Sequence, residues 1–139
     1  MNKCGAYGGT CDIYGVRRKI AWFGPKQVAN ARYEGAWGAR RTCLHFATYW
    51  GFPCPRIITL LAENGANLDP KDDQGETPLR SAISLRYYES IKILIKFGAS
   101  LEKAKVADFG QLMFDASMRE EQTKAAIAEG QRLAGENRK

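Results

Sequence analysis

The 139-residue chain has a single histidine, His45, and no apolar run near the roughly 20 residues that a membrane span requires. Its start, Met1 to Gly5, lacks the apolar stretch of a secretion signal, so export is not expected and a cytoplasmic location is. Cysteine occurs four times, as Cys4, Cys11, Cys43 and Cys54, but no two sit at the tight spacing of common structural zinc sites. In an unexported chain, free thiols or metal ligands are expected rather than disulfides. With that spacing missing, no metal is assigned, and no cofactor is implied.

The want of a second histidine also narrows the catalytic options. Cys43 and His45 lie two apart at one helix start, and residues so spaced do not share a helix face. Cys11-Asp12, in a glycine-rich stretch, lacks phosphate-loop spacing. No catalytic constellation remains, and the chain is read as non-enzymatic. The rival from that class is an enzyme built around the glycine- and cysteine-rich N-terminus, which a folded but inactive Cys11→Ser variant would reveal.

Apolar residues at 45% and charged residues at 26% indicate a globular chain, and the length allows one domain. The net charge of +6 is unevenly placed. Residues 1–41 hold eight basic side chains against Asp12 and Glu34, whereas the remainder is balanced. A positive field confined to one third of the chain points to an acidic partner surface.

Two segments repeat. Thr42-Cys43-Leu44-His45-Phe46-Ala47 aligns with Thr77-Pro78-Leu79-Arg80-Ser81-Ala82, and Gly65-Ala66-Asn67-Leu68 with Gly98-Ala99-Ser100-Leu101. Threonine before proline suits a helix start, since the hydroxyl caps free N–H groups and proline fits the first helical position. Ile57, Leu60 and Leu61, then Ile91, Leu94 and Ile95, recur at helical spacing and predict the buried stripe of a second helix. Gly65 and Gly98 are expected to end those helices. Residues 67–75 read as a solvated turn projecting between repeats.

This pattern resembles the ankyrin repeat, a unit of about 33 residues with a Thr-Pro-Leu-His opening. The resemblance implies an all-α solenoid of stacked helix-turn-helix units with projecting hairpin loops. Residues 38–70 and 71–104 are the two clear repeats. Gly35 and Gly130, spaced to match Gly65 and Gly98, mark degenerate repeats at both ends. Residues 1–37 are read as an irregular basic N-terminal cap and 105–139 as a C-terminal capping repeat. His45 falls on the family's histidine, which makes structural hydrogen bonds.

Function follows from the same resemblance. Ankyrin proteins meet partners through finger tips and the open face of their first helices. That carries over to Arg41, Tyr49 and Trp50 in the first repeat, and to Asp73, Gln74, Glu76, Ser84 and Leu85 in the second. Phe52 joins them, because the insertion Gly51-Phe52-Pro53-Cys54-Pro55 is expected to bulge between two helices. The implied role is a small inhibitor, immunity factor or adaptor that covers a partner protein, with no membrane involved. A basic patch of Arg17, Arg18, Lys19, Lys26, Arg32 and Arg40, interleaved with Tyr14, Trp22, Phe23 and Tyr33, supports an alternative. That alternative is a phage or mobile-element anti-defence inhibitor acting on a nucleic-acid-handling complex, with nucleic acid itself the less favoured partner.

Overall fold

The computed structural model describes residues 29–34, 40–49, 54–105 and 111–138. Strands β1 (Arg32–Glu34) and β2 (Arg40–Thr42) pair antiparallel, with Tyr33 opposite Arg41. Helices α1 (Cys43–Tyr49), α2 (Pro55–Glu63), α3 (Pro78–Ser84) and α4 (Tyr88–Lys96) follow. After them come the single turn α5 (Leu101–Ala104), then α6 (Gln111–Met118) and α7 (Glu121–Asn137). The expected all-α solenoid is what is found, with the short hairpin as a projecting finger.

The helices form two layers. α1, α3 and α6 lie side by side, and α2, α4 and α7 make a second row behind them. Leu44 and Leu79, both fully buried, hold corresponding places in the first row, and Ala47 and Ala82 beside them are small enough for neighbouring helices to approach. Ile57, Ile58 and Leu61, then Ile91, Leu94 and Ile95, fill the space between rows. Leu60, expected in that stripe, is only half-buried, and Ile58 takes the interior position.

Helix ends are set by local chemistry. Thr77 Oγ1 accepts the Arg80 amide at 3.2 Å, and Pro78 occupies the first turn of α3. At the end of α2 the Gly65 and Ala66 amides turn back to Ala62 and Leu61. At the end of α4 those of Gly98 and Ala99 return to Ile95 and Leu94 in the same way. Each closure needs a left-handed residue, and Gly65 at φ 81° and Gly98 at φ 106° supply it. α3 closes identically, through Arg86 to Ile83 and Tyr87 to Ala82, yet its left-handed residue is Arg86 at φ 60°.

Three expectations are corrected here. Pro55 does not bulge from a loop. It opens α2, with Cys54 before it donating its amide to Ala47. Cys54 is disulfide-bonded rather than a free thiol, whereas Cys43 is buried in α1. Gly130 does not end a helix either. It lies inside the 17-residue α7, where a methyl group would sit 2.9 Å from Ile95 Cβ and 2.9 Å from the Lys92 carbonyl oxygen.

Gly130 thus lets α7 lie directly on α4. Alanine there would gain about 1 kcal/mol of helix propensity. Forcing a methyl into a backbone contact costs about 1–3 kcal/mol. The second term wins, so Gly130→Ala is expected to lower the urea midpoint. A rise would mean that the two helices separate without penalty.

Candidate partner-binding surface

The turn between the first two repeats is organised by one carboxylate. Asp72 is buried, and its Oδ1 accepts the amides of Gln74 and Glu76, each at 2.9 Å. Its Oδ2 accepts Arg41 Nε at 3.1 Å. The Arg41 and Asp72 side chains are 7% and 1% exposed, so this pair lies inside the structure. Burying two charges is tolerated when the pairing is good and the spare lone pairs are satisfied, and both conditions hold at Asp72.

His45 connects the finger to the second repeat. Nδ1 lies 3.2 Å from the Thr42 amide and 3.0 Å from Thr42 Oγ1, and Nε2 lies 2.9 Å from the Glu76 carbonyl oxygen. The ring's pKa is held below its ordinary value, chiefly by burial, with Arg41 and Arg32 adding to that effect. The Glu76 carbonyl and Asp72 oppose it.

Arg80 stands where the first repeat has His45, and it does the same work with different atoms. It is fully buried: Nε donates to Glu76 Oε1 at 2.9 Å, and Nη1 donates to the Ala104 carbonyl at 3.1 Å. The guanidinium also sits 4.7 Å from the centre of the Phe114 ring. Each repeat therefore reaches a backbone carbonyl of the following segment through its fourth opening residue. Burial raises the Glu76 pKa, and Arg80 opposes that shift.

Two of the expected partner contacts are corrected by these distances. Arg41 is buried against Asp72, and Glu76 is turned toward Arg80 with its side chain 17% exposed. A charged residue on a polar turn reads as solvated, but here each has found a partner in the interior. Asp73, Gln74 and Leu85 do face solvent, as does Lys71, and Ser84 is half-buried. Leu85 is the one large apolar side chain that is exposed among the described residues.

Of the basic patch, Arg32 and Arg40 are described, and both are exposed. Arg40 is not isolated: its amide donates to Asp73 Oδ2 at 3.1 Å, and its Nε lies 3.6 Å from the same oxygen. Arg17, Arg18, Lys19, Lys26, Trp50, Phe52 and the side chain of Tyr49 lie outside what is described. Among the described residues no group of three or more His, Cys, Asp or Glu could hold a metal ion. No described helix is long and apolar enough to cross a membrane.

A family model for ankyrin repeats, in three copies, matches residues 21–105. The chain is an ankyrin-repeat protein. Repeats of this family are protein–protein interaction modules and are generally non-enzymatic. A putative ankyrin repeat protein of Rickettsia bellii is 43% identical over 61 residues, 43% of this chain and 25% of the relative. A probable E3 ubiquitin-protein ligase, XBOS32, of Oryza sativa subsp. japonica is 27% identical over 88 residues, 63% of this chain and 17% of the relative. The ankyrin-repeat chain therefore spans a quarter or less of either relative's length. No solved structure matches significantly.

The ankyrin match begins inside the segment read as an N-terminal cap and stops where α6 and α7 are still to come. Those two helices nonetheless stack on α3 and α4 as another helix pair.

Proposed function

We propose that this protein acts by covering a partner protein's surface, as an inhibitor, immunity factor or adaptor. The contact surface is the edge formed by the finger, the turn 71–74 and the exposed turn after α3. Residues 105–139 serve as the capping repeat. In support, α7 is lined on its outer side by ion pairs of Lys124 with Glu121 and of Arg132 with Glu129 and Glu136. A polar outer face is what the end of a stack requires.

The observation that carries the reading is Leu85. Large apolar side chains elsewhere in the described structure are at least partly buried, whereas Leu85 is 41% exposed on a turn beside Arg86. One exposed leucine is ordinary, but its place on the edge that ankyrin partners meet makes it the anchor to test.

Affinity capture of the full chain from its source cells, read by mass spectrometry, identifies the partner. Leu85→Glu is then expected to weaken that complex by a factor of about 30 or more, the loss of an anchor worth about 2 kcal/mol. Its melting temperature should stay close to that of the parent, because surface changes of this kind move stability little. Full binding by a folded Leu85→Glu variant would overturn this surface. The expected preference for an acidic partner is checked by the salt dependence of the same complex.

A further inference from the structure

Helices α2, α3 and α4 end in the same pair of backward hydrogen bonds, and each closure needs a left-handed residue. After α2 and α4 that residue is glycine, which takes the conformation freely. After α3 it is Arg86 at φ 60°, the one non-glycine residue with a positive φ among the described residues. A Cβ in that region crowds the backbone carbonyl, so arginine is held there at a cost that glycine would not carry.

What arginine gains in return is an ion pair. Its Nε lies 2.6 Å from Glu120 Oε1, with the two side chains 48% and 33% exposed. A pair so open to water adds little to stability. Stability therefore does not account for arginine at this position.

The turn that carries it is nevertheless held from the last helix pair. Ser117 donates its hydroxyl to the Ser84 carbonyl at 3.4 Å, and Tyr88 donates its own to Glu120 Oε2 at 3.3 Å. Glu120 thus meets both Arg86 and Tyr88. The result is a fixed turn that presents a half-exposed guanidinium next to Leu85, the exposed leucine. Glu120 is met at Nε, and the two Nη groups carry the other four N–H donors of a fork that matches a carboxylate.

We propose that Arg86 is a specificity-determining contact: together with Leu85 it recognises a protein segment in which an aspartate or glutamate stands beside an apolar residue. This rests on the turn after α3 being part of the partner-binding edge, and it names the chemistry which that edge reads. Leucine supplies the apolar contact and arginine the charge, and a turn fixed beforehand loses little freedom on binding. Nucleic acid fits less well, because phosphate binding draws on several cations together and a leucine offers bases no stacking platform.

The probe is a phage-displayed library of random dodecapeptides selected on the full chain. Enriched peptides are expected to carry an acidic residue next to an apolar one. One such peptide and its carboxamide counterpart are then titrated against the parent and against Arg86→Gly, which keeps the left-handed turn. The carboxamide should bind the parent about tenfold more weakly than the acid, as loss of one charge-assisted hydrogen bond implies. The two peptides should bind Arg86→Gly alike, which shows that the carboxylate and Arg86 are coupled. Arg86→Gly itself should melt at or above the temperature of the parent.

Additive losses, or peptides enriched without acidic residues, would overturn the assignment. A marked fall in the melting temperature of Arg86→Gly would overturn it too, making Arg86 a support of the helix stack. So would a single-stranded oligonucleotide that the parent binds and Arg86→Gly does not, since the contact would then be to phosphate. In each of these cases the edge as a binding surface stands. If no peptide is enriched on the parent, the binding edge and this assignment fail together.

Discussion

Asp72→Ala is expected to destabilise the protein by about 3–5 kcal/mol, the range for removing one member of a buried ion pair. Three bonds to Asp72 are lost at once: those from Arg41 Nε and from the amides of Gln74 and Glu76. The Arg41 side chain, 7% exposed, has little access to water where it lies. A domain with a total stability of about 5–15 kcal/mol would be close to unfolding after such a loss. Urea titration followed by circular dichroism measures it. A companion variant, Asp72→Ala with Arg41→Met, tests the cause. Replacing both charges by apolar groups removes the buried cation as well as the carboxylate, so part of the loss should return. Part should persist, because the two amides still lack their acceptor. A loss below about 1 kcal/mol in the single variant would mean that Arg41 turns out to solvent at little cost.

Arg80→Ala should be comparably severe, at about 3–5 kcal/mol. The change strips Glu76 of its cation, the Ala104 carbonyl of its donor and the Phe114 ring of the guanidinium lying over it. It also leaves a cavity, since Arg80 is the largest fully buried side chain among the described residues. Arg80→Lys separates charge from geometry. An ammonium is a point charge, whereas the guanidinium sends Nε and Nη1 to two different acceptors. Lysine is thus expected to recover one of the two bonds and to fall between the parent and alanine in thermal stability. Equal stability of Arg80→Lys and the parent would show that charge alone matters at this joint.

Both experiments address how adjacent repeats are joined. In the first, His45 reaches the carbonyl of Glu76; in the second, Arg80 reaches that of Ala104. The substitution was visible in the aligned openings as a departure from the Thr-Pro-Leu-His pattern. Its consequence was not, because an arginine beside a polar turn has no sequence mark that separates a buried clamp from a solvated tip. The repeat pattern places Arg41 and Glu76 on the partner surface for the same reason. Their partners Asp72 and Arg80 lie 31 and four residues away, and only folding decides that both pairs face inward.

The exposed edge is legible to a different degree. The place of Asp73, Gln74 and Leu85 in the repeat predicts that they are open, and all three face solvent. Arg86, beside Leu85, carries no such mark in the sequence. It closes α3 in the left-handed conformation that glycine supplies after α2 and α4, and a pattern keyed to glycine cannot detect it. Its Nε lies 2.6 Å from Glu120 Oε1, in the turn before α7, an ion pair that only the stacked helices bring together.

Sequence alone was sufficient wherever the governing interaction is local. Thr77 caps the helix that begins beside it, Pro78 tolerates its first turn, and Gly65 and Gly98 reverse the chain where the stripes of apolar residues stop. Those signals recur at the ankyrin period, and together they determined the family and the direction of every central helix. Tertiary structure decided what depends on approach between distant segments. Gly130 has the right spacing to close a repeat, yet it serves the contact of α7 with α4, because the Lys92 carbonyl leaves no room for a methyl group. The charges of the finger and of the turn 71–74 divide in the same way: Arg40 and Asp73 stay at the surface, while Arg41 and Asp72, one residue from each, are driven inside. For Arg40 and Arg41, alternation along the short strand β2 sends neighbouring side chains to opposite faces, and only the stacked repeats determine which face is covered.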